Sequence, residues 1–148
     1  MKIEKVEKCR VAYMRRVGVY GAENFKLMEE FKKWALDNNI LNKGTIYAIA
    51  QDNPEITPPQ NCRYDICITI SNDYKIDNLV DETRLDGGNY AIYKIKHTTE
   101  DIQKAWGKIF IDLKQKGYII DNKSIMERYS KDMIDNEYCE ICVPVKIK

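Results

Sequence analysis

The sequence predicts an α+β fold in which a duplicated β-α-β-β module forms one curved antiparallel sheet with two helices. The first observation is that the same order of elements, strand, helix, strand, strand, occurs twice along the 148 residues. The second is that one such module is too small to cover a sheet face alone, so the two should join and carry both helices. We therefore expect one domain over residues 1–148, with pseudo-repeats at about 1–71 and 89–148 and a connection at 72–88.

The first repeat follows this order from its first strand onward. Branched and aromatic residues predict a strand from Cys9 to Val17, after which glycines break the pattern. A helical apolar period then runs from Ala22 to Asn38. Two more strands are predicted from Thr45 to Ala50 and from Arg63 to Ile70, separated by a proline-rich loop. The apolar stripe of the helix comprises Phe25, Met28, Phe31, Leu36 and either Trp34 or Ala35.

The second repeat begins after a polar connection, in which we expect one short strand near Glu82 to Leu85. A strand is predicted from Tyr90 to Lys96, and Thr98 is a good N-cap for the helix that follows. The chain then closes with a strand at residues 125–130, a turn, and a strand at residues 139–145.

The composition narrows the possible functions. A formal net charge of +1 gives no electrostatic reason to expect binding to nucleic acid or to an anionic membrane. No apolar run is long enough to span a membrane, and the first residues lack the apolar region of a signal peptide. We therefore expect a cytoplasmic protein. The sequence has no glycine-rich phosphate loop in front of a helix, and we expect no cofactor.

The five cysteines are interpreted as free thiols in a reducing compartment. Cys139 and Cys142 have the spacing of a zinc or redox pair. On a strand, however, residues three positions apart point to opposite faces, so these two thiols cannot hold one ion. His97 is the only histidine and offers no second pair of ligands. We therefore predict core cysteines and no metal site.

Glu127 is the residue that points most directly to a function. Strand alternation places it on the same face as Ile125 and Tyr129, so a carboxylate stands on a face that should be apolar. A surface glutamate paired with a nearby lysine or arginine would explain this pattern, and so would a ligand-facing carboxylate in an aromatic pocket. The ten tyrosines of the chain favour a pocket, because tyrosine offers a ring face and a hydroxyl to flat or cationic ligands.

Four other residues are interpreted as structural. Asp65 and Glu140 occupy equivalent positions in the two repeats, and because their strand face also carries Arg63 we expect that face to be solvated. Tyr64 and Trp34 are expected in the core.

Several segments occur together in a family-specific order: Asp52 to Pro59, Cys62 to Cys67, Gly87 to Ala91, Trp106, Glu127 to Tyr129, and Glu140 to Val145. In this order, and with the repeat, they resemble the GyrI-like small-molecule-binding domains. Such domains also form the effector-binding half of AraC- and MerR-type transcription regulators, including the multidrug-sensing activator BmrR. The resemblance covers nearly the whole chain.

The resemblance implies a groove between the two repeats that binds amphipathic, often cationic molecules. A glutamate on the penultimate strand meets the ligand's charge in this family, and Glu127 falls at that position. Its repeat partner Tyr47 should face the same groove, and Tyr129 shares its strand face. Tyr93 should point inward. Trp106 lies on the helix stripe, where it either lines the groove or packs in the core.

The resemblance leaves three roles open. The first is a sensor or sequestering domain for a small hydrophobic or cationic ligand, which we favour. The second is a hydrolase of electrophilic, cyclopropane-type toxins, in which Glu127 would be catalytic. The third is an interaction protein that shields gyrase from inhibitors. The sequence contains no helix-turn-helix, so we expect no direct DNA binding by this chain.

Overall fold

The computed structural model describes residues 1–147. The strands are β1 (Lys2–Val6), β2 (Cys9–Val17), β3 (Ile46–Ala50), β4 (Arg63–Thr69), β5 (Asp81–Leu85), β6 (Gly88–Lys96), β7 (Ile119–Ile120), β8 (Met126–Tyr129) and β9 (Tyr138–Lys146). The helices are α1 (Ala22–Asp37), α2 (Thr99–Gln115) and α3 (Lys131–Asp135), with one 3-10 turn at Pro59–Asn61. The predicted α+β fold is confirmed, whereas the sequence patterns do not predict β1, β7 or α3.

The sheet is strongly curled, and short connections bring its two ends near each other. Its strands are antiparallel in the order β1-β6-β9-β8-β3-β4-β2-β5. Glu7 and Lys8 alone connect β1 at one end of this order to β2 near the other end, and Asp86 and Gly87 alone connect β5 to β6. Since neighbouring Cα atoms are 3.8 Å apart, each connection spans at most about 11 Å. The sheet therefore forms a half-barrel.

The inner face of this half-barrel is lined by strand residues. Its cluster draws on strands from both ends of the sheet and comprises Val6, Val11, Tyr47, Ile49, Cys67, Tyr90, Ile92, Met126 and Cys142. Because side chains from both edges of the sheet pack together here without a helix between them, this face is the inside of the curl.

The outer face carries the helices. Phe31, Trp34 and Ala35 anchor α1 over β2 and β4, while Ile109 and Leu113 anchor α2 over β6 and β9. Trp34 is buried in the core, as predicted. Two stripe residues of α1 were misassigned, because Phe25 and Leu36 are 67% and 57% exposed. None of the three helices found in residues 1–147 is both long and apolar enough to cross a lipid bilayer.

Side-chain caps define where two of the helices begin. Thr98 Oγ1 accepts a hydrogen bond of 3.1 Å from the backbone N–H of Asp101, which confirms the predicted N-cap of α2. Ser130 Oγ accepts a bond of 3.2 Å from the N–H of Met133 in the same way. This second cap starts α3, so a short helix stands where the sequence predicts only a turn between the last two strands.

Candidate functional site

Glu127 lies on β8, at the middle of the sheet and on its outer face. It pairs with Ala48 of β3 and Ile141 of β9, and both neighbours belong to apolar clusters beneath the helices. Its side chain is partly buried, and it makes no ion pair with any group in residues 1–147. The interpretation as a surface glutamate paired with lysine or arginine therefore has no support in the structure.

A row of outer-face residues crosses the sheet through Glu127. The strand register runs from Tyr93 through Ile141 to Glu127, and on through Ala48 to Ile66. Adjacent strands are about 4.8 Å apart, so Tyr93 lies about 10 Å from Glu127 along this row. Ala48, the neighbour of Glu127 on β3, is small and buried.

Tyr129 holds the carboxylate directly. Its hydroxyl donates a hydrogen bond to Glu127 Oε2, as the shared strand face predicts. Burial, and then the negative charge of Glu127, raise the pKa of Tyr129 far above its ordinary value. The phenol therefore stays protonated and remains a donor. The ring of His97 lies 5.1 Å from that of Tyr129, a neighbour that sequence reasoning missed because the two residues are far apart in the chain.

Two further side chains lie in the environment of this carboxylate. Burial raises the pKa of the Tyr64 phenol, and the charge of Glu127 raises it further. Burial also raises the pKa of the Cys139 thiol to about 12, again with a contribution from Glu127. Both groups are therefore neutral. Tyr64, which we expected in the core, packs against the α1 cluster and also contributes to the surroundings of Glu127.

Tyr93 and Trp106 are both engaged with α2. Tyr93 lies on the outer face beneath α2, and its hydroxyl donates to Asp112 Oδ2 at 2.7 Å. This bond is the main cause that holds the pKa of Asp112 below its ordinary value. Trp106 is partly buried against the α2 cluster and stacks on Phe110, with ring centroids 6.0 Å apart. A role in ligand binding remains a prediction for both residues.

Tyr47 does not face Glu127, and that expectation is wrong. It pairs with Arg128 on β8, and directly paired residues share one face of a sheet. The ring accordingly packs in the inner-face cluster with Met126. The error comes from the alignment of the two predicted repeats, which matches Tyr47 with Glu127. That alignment of β3 with β8 is out of register by one residue. Because side chains alternate, a slip of one residue moves each of them to the opposite face.

The inner face encloses charges that we expected in solvent. Asp65 is 4% exposed and accepts bonds from Arg15 Nε at 2.6 Å and Gln51 Nε2 at 3.0 Å. Arg128, 9% exposed, donates to Glu140 at 3.0 Å. In a flat sheet, the face that carries Asp65 and Glu140 would be in contact with solvent. The curl turns them inward, and each charge is then retained by a partner.

Cys139 and Cys142 point to opposite faces, as predicted, since one belongs to the outer α1 cluster and the other to the inner cluster. No group of three or more metal-ligating side chains occurs in the part of the chain that the structure describes.

Comparison with known proteins decides the family. A family model described as the GyrI-like small molecule binding domain matches residues 1–146. The chain belongs to this GyrI-like family. It is 39% identical over 145 residues to the SPbeta prophage-derived putative transcriptional regulator YosT of Bacillus subtilis, with 97% of each chain covered. It is 26% identical over 151 residues to the DNA gyrase inhibitor of Escherichia coli, covering 99% of this chain and 96% of that one.

Solved structures of other proteins share the GyrI-like fold. The C-terminal domain of EcmrR superimposes with a TM-score of 0.72 at 15% identity, covering 99% of this chain and 97% of that one. The structure of SAV2435 bound to tetraphenylphosphonium superimposes with a TM-score of 0.63 at 13% identity, covering 98% and 93%. At these identities the likeness establishes the fold. The family resemblance drawn from the sequence is confirmed.

Proposed function

We propose that this GyrI-like domain binds amphipathic cations on the outer face of its sheet, between α1 and α2, with Glu127 as the counter-charge. The observation that carries this proposal is a partly buried carboxylate, in apolar surroundings, for which residues 1–147 supply no cation. A partly buried carboxylate without a counter-charge is unfavourable, and a cationic ligand would supply that counter-charge.

The surrounding side chains fit the other part of such a ligand. The Tyr129 hydroxyl orients the carboxylate, and Tyr64 adds a second neutral phenol near it. Tyrosine rings attract cations through their faces, at about 0.5–2 kcal/mol each when desolvated. In this proposal the aromatic part of the ligand lies beside Ala48, the small residue that pairs with Glu127. The ligand of SAV2435, tetraphenylphosphonium, combines one positive charge with apolar rings and supports this ligand class.

With the proposed binding, the domain would act as a sensor of its ligand or would sequester it. The Bacillus subtilis relative, named as a putative transcriptional regulator, supports the sensing role. The Escherichia coli relative is named a DNA gyrase inhibitor, and gyrase protection is therefore an alternative role. The contacts described for residues 1–147 do not identify a surface for such a partner.

Tetraphenylphosphonium titration by calorimetry tests the cation proposal. Glu127→Gln keeps the shape of the side chain and removes its charge, so we expect affinity to fall by about 1.5–3 kcal/mol. Neutral triphenylphosphine oxide should bind both proteins equally. The matched control is Glu30→Gln, an exposed glutamate of α1, which should bind like the wild type. Equal tetraphenylphosphonium affinity in wild type and Glu127→Gln would contradict the proposal.

The hydrogen bond between Tyr129 and Glu127 favours a second candidate, hydrolysis of a strained electrophile such as an activated cyclopropane. Glu127 would then act on the attacking water and Tyr129 would position it. Wild-type turnover of such a substrate, lost in Glu127→Gln while substrate affinity is kept, would favour the hydrolase over the binding domain.

A further inference from the structure

The inner face of the half-barrel encloses a cavity on the opposite side of the sheet from Glu127. Its volume is about 390 Å³, within the range of small-molecule pockets. Ile49 and Met126, which pair across β3 and β8, form its floor, and residues 122–124 border it just before β8. The cavity is therefore separate from the proposed cation site.

Tyr90 of β6 lines this cavity and carries an unused polar group. The residue is only 4% exposed and packs in the inner-face cluster. Its hydroxyl makes no hydrogen bond within residues 1–147. Yet every fully buried side-chain oxygen or nitrogen of these residues has a partner. The Tyr90 hydroxyl therefore borders an open space, and the cavity is the space that this side chain lines.

The charged side chains that face the cavity balance. Arg15 and Asp65 form a two-bonded ion pair, with bonds of 2.6 and 2.8 Å. Lys123 and Asp86 border the cavity at its loops and carry one charge of each sign. Arg84 adds no charge here, because the register of β5 on β2 places its side chain on the helix-bearing face. These four charges sum to zero, so the lining favours neither an anion nor a cation.

The buried polar groups of the cavity offer donors rather than acceptors. The carboxylate of Asp65 already accepts three bonds, two from Arg15 and one of 3.0 Å from Gln51. Burial raises the pKa of Tyr90 to about 12, so its phenol stays protonated and can donate. A ligand that presents a hydrogen-bond acceptor would therefore use a group that the protein leaves free.

We propose that this cavity binds a small, neutral aromatic molecule that carries a carbonyl group, such as an aromatic amide. The carbonyl oxygen accepts a hydrogen bond from the Tyr90 hydroxyl, and the ring lies over Ile49 and Met126. A charged ligand binds less well, because it adds an uncompensated charge to a lining whose own charges balance. This site goes beyond the proposed cation binding and does not depend on it.

The probe is 2-naphthamide, titrated into the full chain with ¹³C-labelled methionine methyl groups and followed by NMR. Met126 lies in the cavity floor, so its methyl signal should shift on binding and report the affinity. Met14 packs against the α1 cluster on the outer face, and its signal should stay in place. The anion 2-naphthoate and the cation 2-naphthylmethylammonium have a similar shape, and each should bind at Met126 at least about tenfold more weakly.

Tyr90→Phe removes the hydroxyl and keeps the ring. Because this hydroxyl has no partner within residues 1–147, the variant should unfold at the wild-type temperature or slightly above it. Its affinity for 2-naphthamide should fall about fivefold, as expected for the loss of one neutral hydrogen bond. The matched control is Tyr118→Phe, which removes a hydroxyl beside the α2 cluster and should bind like the wild type.

Four results would overturn the inference. They are an unmoved Met126 signal at millimolar 2-naphthamide, binding of either charged analogue at Met126 as tight as that of the amide, unchanged amide affinity in Tyr90→Phe, and marked destabilisation of that variant, which would reveal an internal partner for the hydroxyl. Failure of tetraphenylphosphonium to bind would instead contradict the cation site and leave the naphthamide result standing.

Discussion

At the residue scale, the chemistry of the molecule is organised by how each charge is satisfied. Asp65 and Glu140 each meet an arginine on the inner face. Arg128 also reaches Glu4 of β1, at 2.5 Å, and so ties the first strand to the centre of the sheet. Glu127 is different, because its partner among the described residues is a tyrosine hydroxyl. The paired charges therefore stabilise the fold, whereas the Glu127 carboxylate is available to a ligand.

The Glu4–Arg128 pair predicts a pH dependence. The hydrogen bond from Arg128 is the main cause that lowers the pKa of Glu4 from 4.5. A group whose pKa is lower in the folded protein stabilises it above the unfolded pKa, and that contribution is lost as the pH falls through the folded value. We therefore expect amide protons of β1 to exchange faster, relative to those of β9, once the pH drops below about 4.5.

Glu4→Gln provides the control for this pH dependence, since it removes the titrating group and leaves the side chain in place. In this variant β1 should exchange faster already at pH 6, with a smaller change on acidification. Protection of β1 that is the same at pH 6 and pH 3 in the wild type would contradict the role of the pair.

At the element scale, the two long helices differ in how they begin. Helix α1 follows Gly21 and has no side-chain cap, whereas α2 begins at Thr98 with acids in its first turn. Those acids favour the positive end of the helix. The Tyr93–Asp112 bond then joins the later part of α2 to β6. Polar contacts therefore fix both where α2 begins and how its later part lies on β6.

Removing the cap of α2 tests this assignment. Thr98→Ala should lower the free energy of unfolding by about 1 kcal/mol, because the N–H of Asp101 loses its acceptor. Thr99→Ala is the matched control, since the neighbouring threonine lies inside the helix and is not the cap; we expect a change below about 0.5 kcal/mol. Urea unfolding measures both, and equal effects would argue against the cap.

At the scale of the whole molecule, closure of the half-barrel depends on a crossing of its two short connections. Gly87 has a φ of +76°, and a Cβ there would lie 2.4 Å from the carbonyl oxygen of Val6 and 2.8 Å from the N of Lys8. Both are backbone atoms of the segment that joins β1 to β2. The two connections can therefore pass this close to each other because Gly87 has no side chain.

Gly87→Ala should destabilise the protein by at least about 2 kcal/mol, because it adds backbone strain to a clash with backbone atoms. Gly107→Ala is the control: it lies inside α2 with no atom within 4 Å of an added Cβ, and we expect it to stabilise the protein by about 0.5–1 kcal/mol. Thermal unfolding of the two variants gives the comparison. A Gly87→Ala protein as stable as the wild type would contradict this account of closure.

The sequence by itself determined what depends on neighbours along the chain. The helical period, the strand alternation and the Thr98 cap are local, so the order of the main elements and the shared face of Glu127 and Tyr129 follow from them. The edge strand β1 escaped prediction because its alternating charges give no apolar strand pattern, and its partner β6 lies far along the chain. The helix α3 escaped because five residues carry too little periodicity to be recognised.

Only the tertiary structure decided which residues meet across strands. The register that pairs Ala48 rather than Tyr47 with Glu127 arises from contacts between distant segments, and a one-residue slip reverses every side chain. The curvature of the sheet likewise buries Asp65, which we expected at the surface, and pairs it with Arg15. Neither is encoded locally, because both depend on how strands that are distant in the chain close around one interior.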